Sequence, residues 1–539
     1  MLAFESLLIV LLVASGLAAL ARRLGVPYPA FLALAGACLA LIPSAPMITL
    51  EPDLALALFV APVLLDAAFD SSPRDLRRNW VPLTALVVGA VVVTTAAVAW
   101  LAHVLVPSMP WAVAIALGAI VAPPDAAAAT AVLGQVRVPH RVLVILEGES
   151  LLNDATALLI YRLAVGAVVA QGLDVRQVAP AFLLAVVGSL IVGPLLARLF
   201  LWITAPVRDI PTAIILQFLG TFGVWVIAER LELSPVLTMV AFAMVAARHA
   251  PYLTPARMRL PSYAVWETVV FVLNVAAFVF IGLQVRPILA ELDPVARARY
   301  LTLSAAVLLT VIGVRIVWVL TVAGLMRWAD RRRAPRKPRS MLPPRTANGI
   351  VVAWCGMRGI VTLAAALALP SQVDGGPFPF RDLVVVAAFS VVLGTLILQG
   401  LTLKAVLNAV HLKDDDPVGQ EVAMANARAL EAALATLVVH GDSRPATAVR
   451  EELQSSLGGP AAAASVSGAT AHDRLRGRAL SAARQTVLAM RDRGDIGDDA
   501  FHTLENDLDW MEVSDPLRAA NADAMDQSGI TSSRGHRDA

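Results

Sequence analysis

The stretch Glu147-Gly148-Glu149-Ser150-Leu151-Leu152-Asn153-Asp154 decides how this chain is read. It lies near the start of an apolar segment, roughly Arg141 to Ala170, that is long enough to cross a bilayer. Three acids and an amide within one apolar span are costly. Such groups persist in a membrane where they face a bundle interior or a watery cavity, and there they mark ion or proton paths. The expectation is a frame of apolar helices built around Asp154.

The composition agrees. Of 539 residues, 58% are hydrophobic and only 16% charged, far too apolar for a soluble globular protein. The formal net charge is only +2, but the charges are sparse before about residue 410 and dense after it. The two cysteines, Cys38 and Cys355, both fall in apolar spans, which argues against a disulfide framework or a cysteine metal site. Met1 to Leu20 has no basic leader and carries Glu5, so it reads as a first span rather than a cleavable signal.

Apolar stretches of roughly 17–25 residues give about thirteen candidate spans: 4–20, 27–43, 53–70, 81–104, 110–134, 141–170, 178–203, 210–228, 233–248, 263–289, 301–326, 347–370 and 382–410. The fifth contains Pro123-Pro124 and the twelfth Gly356 and Gly359, so both are expected to be interrupted. Basic residues alternate between the connections. Arg22, Arg23, Arg74, Arg77, Arg78, Arg137, Arg141, Arg198, Arg208, Arg248, Arg257, Arg259 and the run from Arg327 to Arg345 lie on one side. The other side is poorer, with Arg176, Arg230, Arg286, Arg297, Arg299 and Arg381. The bias predicts an outside N-terminus and a cytoplasmic tail. The Arg327–Arg345 run is read mainly as a topology signal, with anionic lipid binding as the alternative. The tail, 411–539, is soluble in character. Glu421 to Val439 and Asp473 to Arg493 read as amphipathic helices, the second stopped by Gly494. A linker runs from Gly458 to Thr470, and the last fifteen or so residues look disordered.

Several residues are candidates for chemistry. Burial raises the pKa of a carboxyl group and a nearby cation lowers it, so one carboxylate in the position of Asp154 can hold either a proton or a metal ion. Asn153 can fix its position without adding charge. Asp125 stands at the Pro123-Pro124 interruption, where freed carbonyls and half-helix ends can contact an ion, and where an acid can cap the second half-helix. Arg358, in Trp354-Cys355-Gly356-Met357-Arg358-Gly359, needs an acidic partner or carbonyls. Glu149 is the expected partner. It is five residues from Asp154, so the two point in different directions on a helix. Arg162 and Arg315 also lie inside spans; both are read as structural, with no partner named. Asp66 sits late in the third span as an outer ligand, a gate residue or a merely solvated helix-end acid. Glu267 and Asn274 share a helix face and read as interhelical hydrogen-bonding groups. Ser150 and Thr130 carry hydroxyls near the site, or back-bond to their own helices. The eight histidines form no metal-spaced cluster in sequence, and the tail has no phosphate loop, zinc spacing or HExxH.

Glu147 to Asp154 continuing into Ala155-Thr156-Ala157-Leu158 resembles the signature of the monovalent cation/proton antiporter 1 family, which takes in the NhaP-type and NHE-type exchangers. Gly356-Met357-Arg358-Gly359-Ile360-Val361-Thr362-Leu363-Ala364 is similar to its Gly-x-Arg-Gly segment. Trp266-Glu267 with Asn274, Phe278 and Ile281-Gly282-Leu283 fits too, as does Leu64-Leu65-Asp66-Ala67-Ala68-Phe69, where the family usually has Glu at position 66. Arg493 to Asp499 and Leu504 to Asp509 resemble the tails of a bacterial branch. The resemblance, over about residues 1–410, implies an all-α polytopic membrane bundle with two broken helices crossing near the midplane, a homodimer, and exchange of Na⁺, Li⁺ or K⁺ for H⁺. It implies that Asp154 binds ion and proton, that Asn153 marks the electroneutral branch, and that Ser150 and Asp66 help Asp154 ligate Na⁺. It further implies that Glu149 and Arg358 form a stabilising ion pair and that Asp125 sits at the crossing. Many members read Thr-Asp there, whereas this chain reads Pro124-Asp125-Ala126. No cofactor, enzyme activity or nucleic-acid partner is expected; the expected partners are the cation, the proton and membrane lipid. A K⁺/H⁺ exchanger or cation channel on the same scaffold is the near alternative, and an intramembrane enzyme using Asp125 and Asp154 the remote one.

Overall fold

The structure is a computed structural model that describes residues 2–24, 26–42, 51–133, 138–169, 175–290, 294–332, 346–373, 376–410, 417–438, 444–458 and 471–513. Most of the Arg327–Arg345 run, the 459–470 linker and the final residues read as disordered therefore lie outside it. The described chain is helical throughout, apart from a two-strand hairpin, Gln372–Val373 against Gly376–Pro377. Eight helices among the described residues are long and apolar enough to cross a membrane. They are joined by the shorter apolar helices Tyr28–Ala40 and Trp111–Val121. Several start at the signals the sequence advertises. Ser72 precedes Pro73, and Ser234 precedes Pro235; each serine accepts from a backbone amide three residues on.

Both expected interruptions are present. The fifth span divides into Trp111–Val121 and Ala126–Leu133, and the twelfth into Thr346–Trp354 and Ile360–Leu367. Two further spans contain π-helical turns, Leu56–Val60 and Ala85–Ala90.

Packing sorts the membrane helices into two groups. The first holds Val91–Leu105, the two broken spans, His140–Val169, Pro294–Arg332 and Arg381–Val410. The second holds Leu2–Leu24, Tyr28–Ala40, Ala61–Asp70, Val175–Thr204, Ile210–Arg230, Pro235–Leu253 and Ala256–Leu283. Tyr28–Ala40 of the second group also packs on Arg381–Val410 of the first, and a distinct apolar cluster fills the part of the seam beside Asp154. Leu151 and Ala155 of the first group pack with Leu64, Ala68, Met239, Val240 and Ala243 of the second. Asp154 thus lies on a helix whose neighbouring residues form the contact surface between the groups.

The tail has a core of its own. Helices Pro417–Leu437, Arg444–Gly458, Ala471–Arg493 and Asp498–Val513 enclose Ala425, Ala429, Ala433, Leu437, Ala479, Ala483, Phe501 and Leu504. The four-residue spacing of the alanines puts small side chains on one face and allows close helix approach. Gly494 ends the third of these helices with a φ of +75°, and the amides of Gly494 and Asp495 turn back to Arg491 and Met490 carbonyls.

Candidate functional site

Each broken span leaves unpaired groups at its interruption, and each supplies the charge that the other needs. Arg358 is 1% exposed. Its Nε donates to the Val121 carbonyl at 3.0 Å, its Nη2 to Ala122 at 3.2 Å, and its Nη1 to Gly356. The guanidinium therefore caps the C-terminal end of Trp111–Val121, where freed carbonyls concentrate negative potential. Its backbone amide donates to Thr395 Oγ1 at 3.0 Å. Asp125 makes the reciprocal contact. Its amide donates to the Met357 carbonyl at 2.7 Å, and one carboxylate oxygen accepts from the Ala127 amide at 2.8 Å. The other oxygen lies where a Cβ on Gly359 would stand. Gly359 is the residue before Ile360–Leu367, so the carboxylate faces the positive end of that half-helix. Any side chain at 359 must displace Asp125. Gly359→Ala is expected to cost about 1–3 kcal/mol of stability and to impair transport, read as a lower unfolding temperature and a slower flux in the same preparation.

Asn153 ties the Asp154 helix to this crossing. Its Nδ2 donates to the Pro124 carbonyl at 2.9 Å, a carbonyl in the break between the half-helices Trp111–Val121 and Ala126–Leu133. Its Oδ1 is buried with no hydrogen-bond partner among the described residues. Asp154 itself is 7% exposed. Among the described residues its carboxylate makes no hydrogen bond or ion pair, and the charge that acts on it is that of Asp125. Ser150 is half-buried one turn earlier on the same helix. Asp66 is half-buried on Ala61–Asp70, across the seam, where Asp70 and Glu267 are its charged neighbours. A cavity of about 400 Å³ opens along the seam, lined by Leu158, Tyr161 and Arg162 on one side and by Trp225, Glu229 and Val236 on the other. Leu158 is one turn beyond Asp154.

The expected pair between Glu149 and Arg358 is corrected by the structure. Glu149, 1% exposed, is held by Arg315, whose Nη1 and Nη2 reach its two oxygens at 2.6 and 3.0 Å. Arg315 Nη2 also donates to the Val352 carbonyl at 3.0 Å. The physical reason is that Arg358 is satisfied by carbonyls its own crossing frees, so it needs no carboxylate. Gly356 makes room for the pair, since a Cβ there would meet the Arg315 side chain. Thr395 is one of two threonines in the apolar helix Arg381–Val410, and nothing in the sequence distinguishes it from Thr402. Thr130 Oγ1 back-bonds to Ala127 at 3.3 Å. Glu267 is exposed, and the interhelical bond beside it is made by Trp266 Nε1 to Gln217 Oε1 at 2.7 Å. Arg162 reaches the Leu233 carbonyl at 3.5 Å from the cavity wall.

Two interrupted helices crossing at a buried carboxylate, on a seam between two helix groups, define a membrane carrier. The family described as "Sodium/hydrogen exchanger, transmembrane" matches residues 7–409, and the chain belongs to that family. It is 32% identical over 436 residues to an uncharacterized Na⁺/H⁺ exchanger of Mycobacterium tuberculosis, covering 78% of this chain and 77% of the relative. It is 30% identical over 390 residues to the sodium, potassium, lithium and rubidium/H⁺ antiporter of Bacillus pumilus, covering 70% of this chain and 57% of that one. In structure it is similar to the sodium proton antiporter MjNhaP1 of Methanocaldococcus jannaschii, with a TM-score of 0.58 and 18% identity over 76% of this chain and 99% of the other.

Proposed function

We propose that the protein exchanges a monovalent cation, Na⁺ with Li⁺ or K⁺ as competitors, for H⁺ by alternating access at Asp154. The observation that carries this is a nearly buried carboxylate with no hydrogen-bond or ion-pair partner among the described residues, beside the crossed half-helices and at the seam. In one facing state Asp154 binds the cation with Ser150, Asp66, backbone oxygens and water. Oxygen ligands suit a hard ion. In the other state the same carboxylate carries the proton. The helix groups move against each other only when the charge is neutralised, because an empty carboxylate is costly to carry through an apolar core. No cofactor is required. The arginine-rich face, which also carries the tail, is the cytoplasmic one on this reading, the membrane is the cell membrane, and the working unit is a homodimer.

The Bacillus relative's range of sodium, potassium, lithium and rubidium favours a broad ion choice as the second reading. The threonine that the family resemblance leads one to expect before the crossing aspartate is Pro124 in this chain, which offers no hydroxyl ligand. Gradients of Li⁺, Na⁺ and K⁺ imposed on reconstituted protein with a fluorescent pH reporter are expected to drive proton flux for Na⁺. Cation flux with no proton coupling would establish a channel instead.

Asn153 beside Asp154 supports one-for-one exchange, in which no net charge moves. A membrane potential alone, imposed on proteoliposomes, is expected to build no pH gradient. A potential-driven gradient would overturn the one-for-one reading while leaving antiport intact.

A further inference from the structure

The tail spans the seam on its arginine-rich face and grips both helix groups. The grip on the second group is Arg259, 4% exposed. Its Nε donates to Asp509 at 2.9 Å and stands 3.4 Å from Glu505, while its Nη2 also binds Asp509. Arg484 of the tail shares that carboxylate at 2.7 Å. Tyr252 adds a bond to Asp492 at 2.6 Å. The grip on the first group is His140, the opening residue of the Asp154 helix. Its Nδ1 stands 3.4 Å from Asp499 and its Nε2 3.5 Å from Asp75. Only the doubly protonated imidazolium can donate to both. Asp75 lies on Pro73–Arg78, between the Asp66 helix and the first group. Its neighbour Arg74 binds Glu421 of the tail at 2.8 Å.

We propose that Asp498–Val513 is a proton-held latch: anchored to one helix group by Arg259 and hooked to the other by His140, it restrains their relative motion while the imidazole is charged. This rests on the carrier reading above, since that motion is what it restrains.

The groups around both histidines support a proton as the occupant. His140 faces Asp75, Arg74 and Arg78 from the connector, Asp499 with Asp498 from the tail, and Glu147 from its own helix. His502 is the second histidine of the interface. It stacks on Phe69 at 6.3 Å and faces Glu505, Asp70 and Arg491, with Arg259 and Tyr263 adjoining Glu505. Burial opposes its charge, but Glu505, 3.5 Å from its Nδ1, and the charge of Asp70 outweigh burial and raise its pKa. Burial also opposes the charge on Asp75, yet the His140 hydrogen bond and the Arg74 charge hold that carboxyl below its ordinary range. Burial pushes Asp499 up.

A histidine whose pKa is raised by docking strengthens docking at low pH and loses that contribution as pH rises through its titration. Asp75 contributes above its own titration, and Asp499 must be ionised to bind. The latch is therefore tightest in mildly acidic solution and opens toward alkaline pH. Asp75, His140 and Asp499 also come within metal-binding range of one another. However, Arg74 and Arg78 stand 3.4 and 4.0 Å from Asp75, and the two ring nitrogens address different carboxylates, which suits a proton better than a divalent cation.

The test uses full-length protein in proteoliposomes between pH 6 and 8.5. Wild-type exchange should climb about tenfold with pH, the factor that one charge-assisted bond corresponds to. Asp499→Asn and, separately, His140→Gln should raise the rate at pH 6 about tenfold and leave the rate at pH 8.5 unchanged. A second readout needs no transport. Spin labels at Trp510→Cys and Lys404→Cys, with Cys38→Ser and Cys355→Ala, report tail-to-core distance. That distance should broaden with pH in the otherwise native protein and be broad at every pH with Asp499→Asn. A native pH profile and native distances in Asp499→Asn would overturn the latch. So would a profile set by added Zn²⁺ in the native protein and abolished by Asp499→Asn. If no variant exchanges ions but the distances respond as stated, the latch stands and the carrier reading fails.

Discussion

Asp154→Asn should abolish cation-dependent proton flux in proteoliposomes while the protein still folds. Asparagine fills the same volume and can keep a neutral oxygen beside the crossing, but it can neither release a proton nor balance a cation. Both halves of the proposed cycle fail together, so flux falls to the level of empty vesicles. Folding should not suffer. The carboxylate is 7% exposed with no ion-pair partner among the described residues, and ionising it there opposes folding. The unfolding temperature of Asp154→Asn should therefore equal or exceed that of the native protein. Asp125→Asn should be milder, because asparagine also caps a helix start and can keep the bond to the Ala127 amide. Unimpaired exchange in Asp154→Asn would remove this residue from the transport step. A loss of flux accompanied by a lower unfolding temperature would make the residue structural.

The features legible in the sequence were those with a local cause. Pro123-Pro124 removes two adjacent backbone donors, and Gly356 and Gly359 flank an arginine inside an apolar run; both interruptions lie where these residues are. Asp154 stood out because an acid in an apolar span needs a reason. The same logic failed for Arg358. The rule that a buried arginine requires an acid or carbonyls offers two solutions, and sequence contains no distances with which to choose. Glu149 and Arg315 are 166 positions apart, and their pairing follows from how Pro294–Arg332 packs in the first group. Arg259 was counted only as a topology marker, yet it is buried against Asp509, 250 positions away. The last tail helix, Asp498–Val513, has its signal in the sequence. Ala500, Phe501, Leu504 and Leu508 recur at helical spacing and are all buried.

Breaking the Glu149–Arg315 pair should strongly destabilise the protein. Arg315→Met leaves a carboxylate 1% exposed with no cation, at a cost of about 3–5 kcal/mol. Glu149→Gln leaves the guanidinium without a counter-charge, held by the Val352 carbonyl and the amide oxygen alone. The double variant Glu149→Met with Arg315→Met should recover much of the loss, because two apolar side chains of similar size replace two compensated charges. Arg358→Met acts through a different set of groups. It strands the Val121, Ala122 and Gly356 carbonyls, at about 1–3 kcal/mol for each one left unsatisfied, and that loss should be nearly the same whether residue 149 is Glu or Gln. Unfolding in detergent micelles of the single and paired variants measures both couplings in one cycle. A strong Glu149–Arg315 coupling beside a weak Glu149–Arg358 coupling is the expected result. The reverse order would restore the Glu149–Arg358 pair and deprive the crossing of its carbonyl-capping arginine.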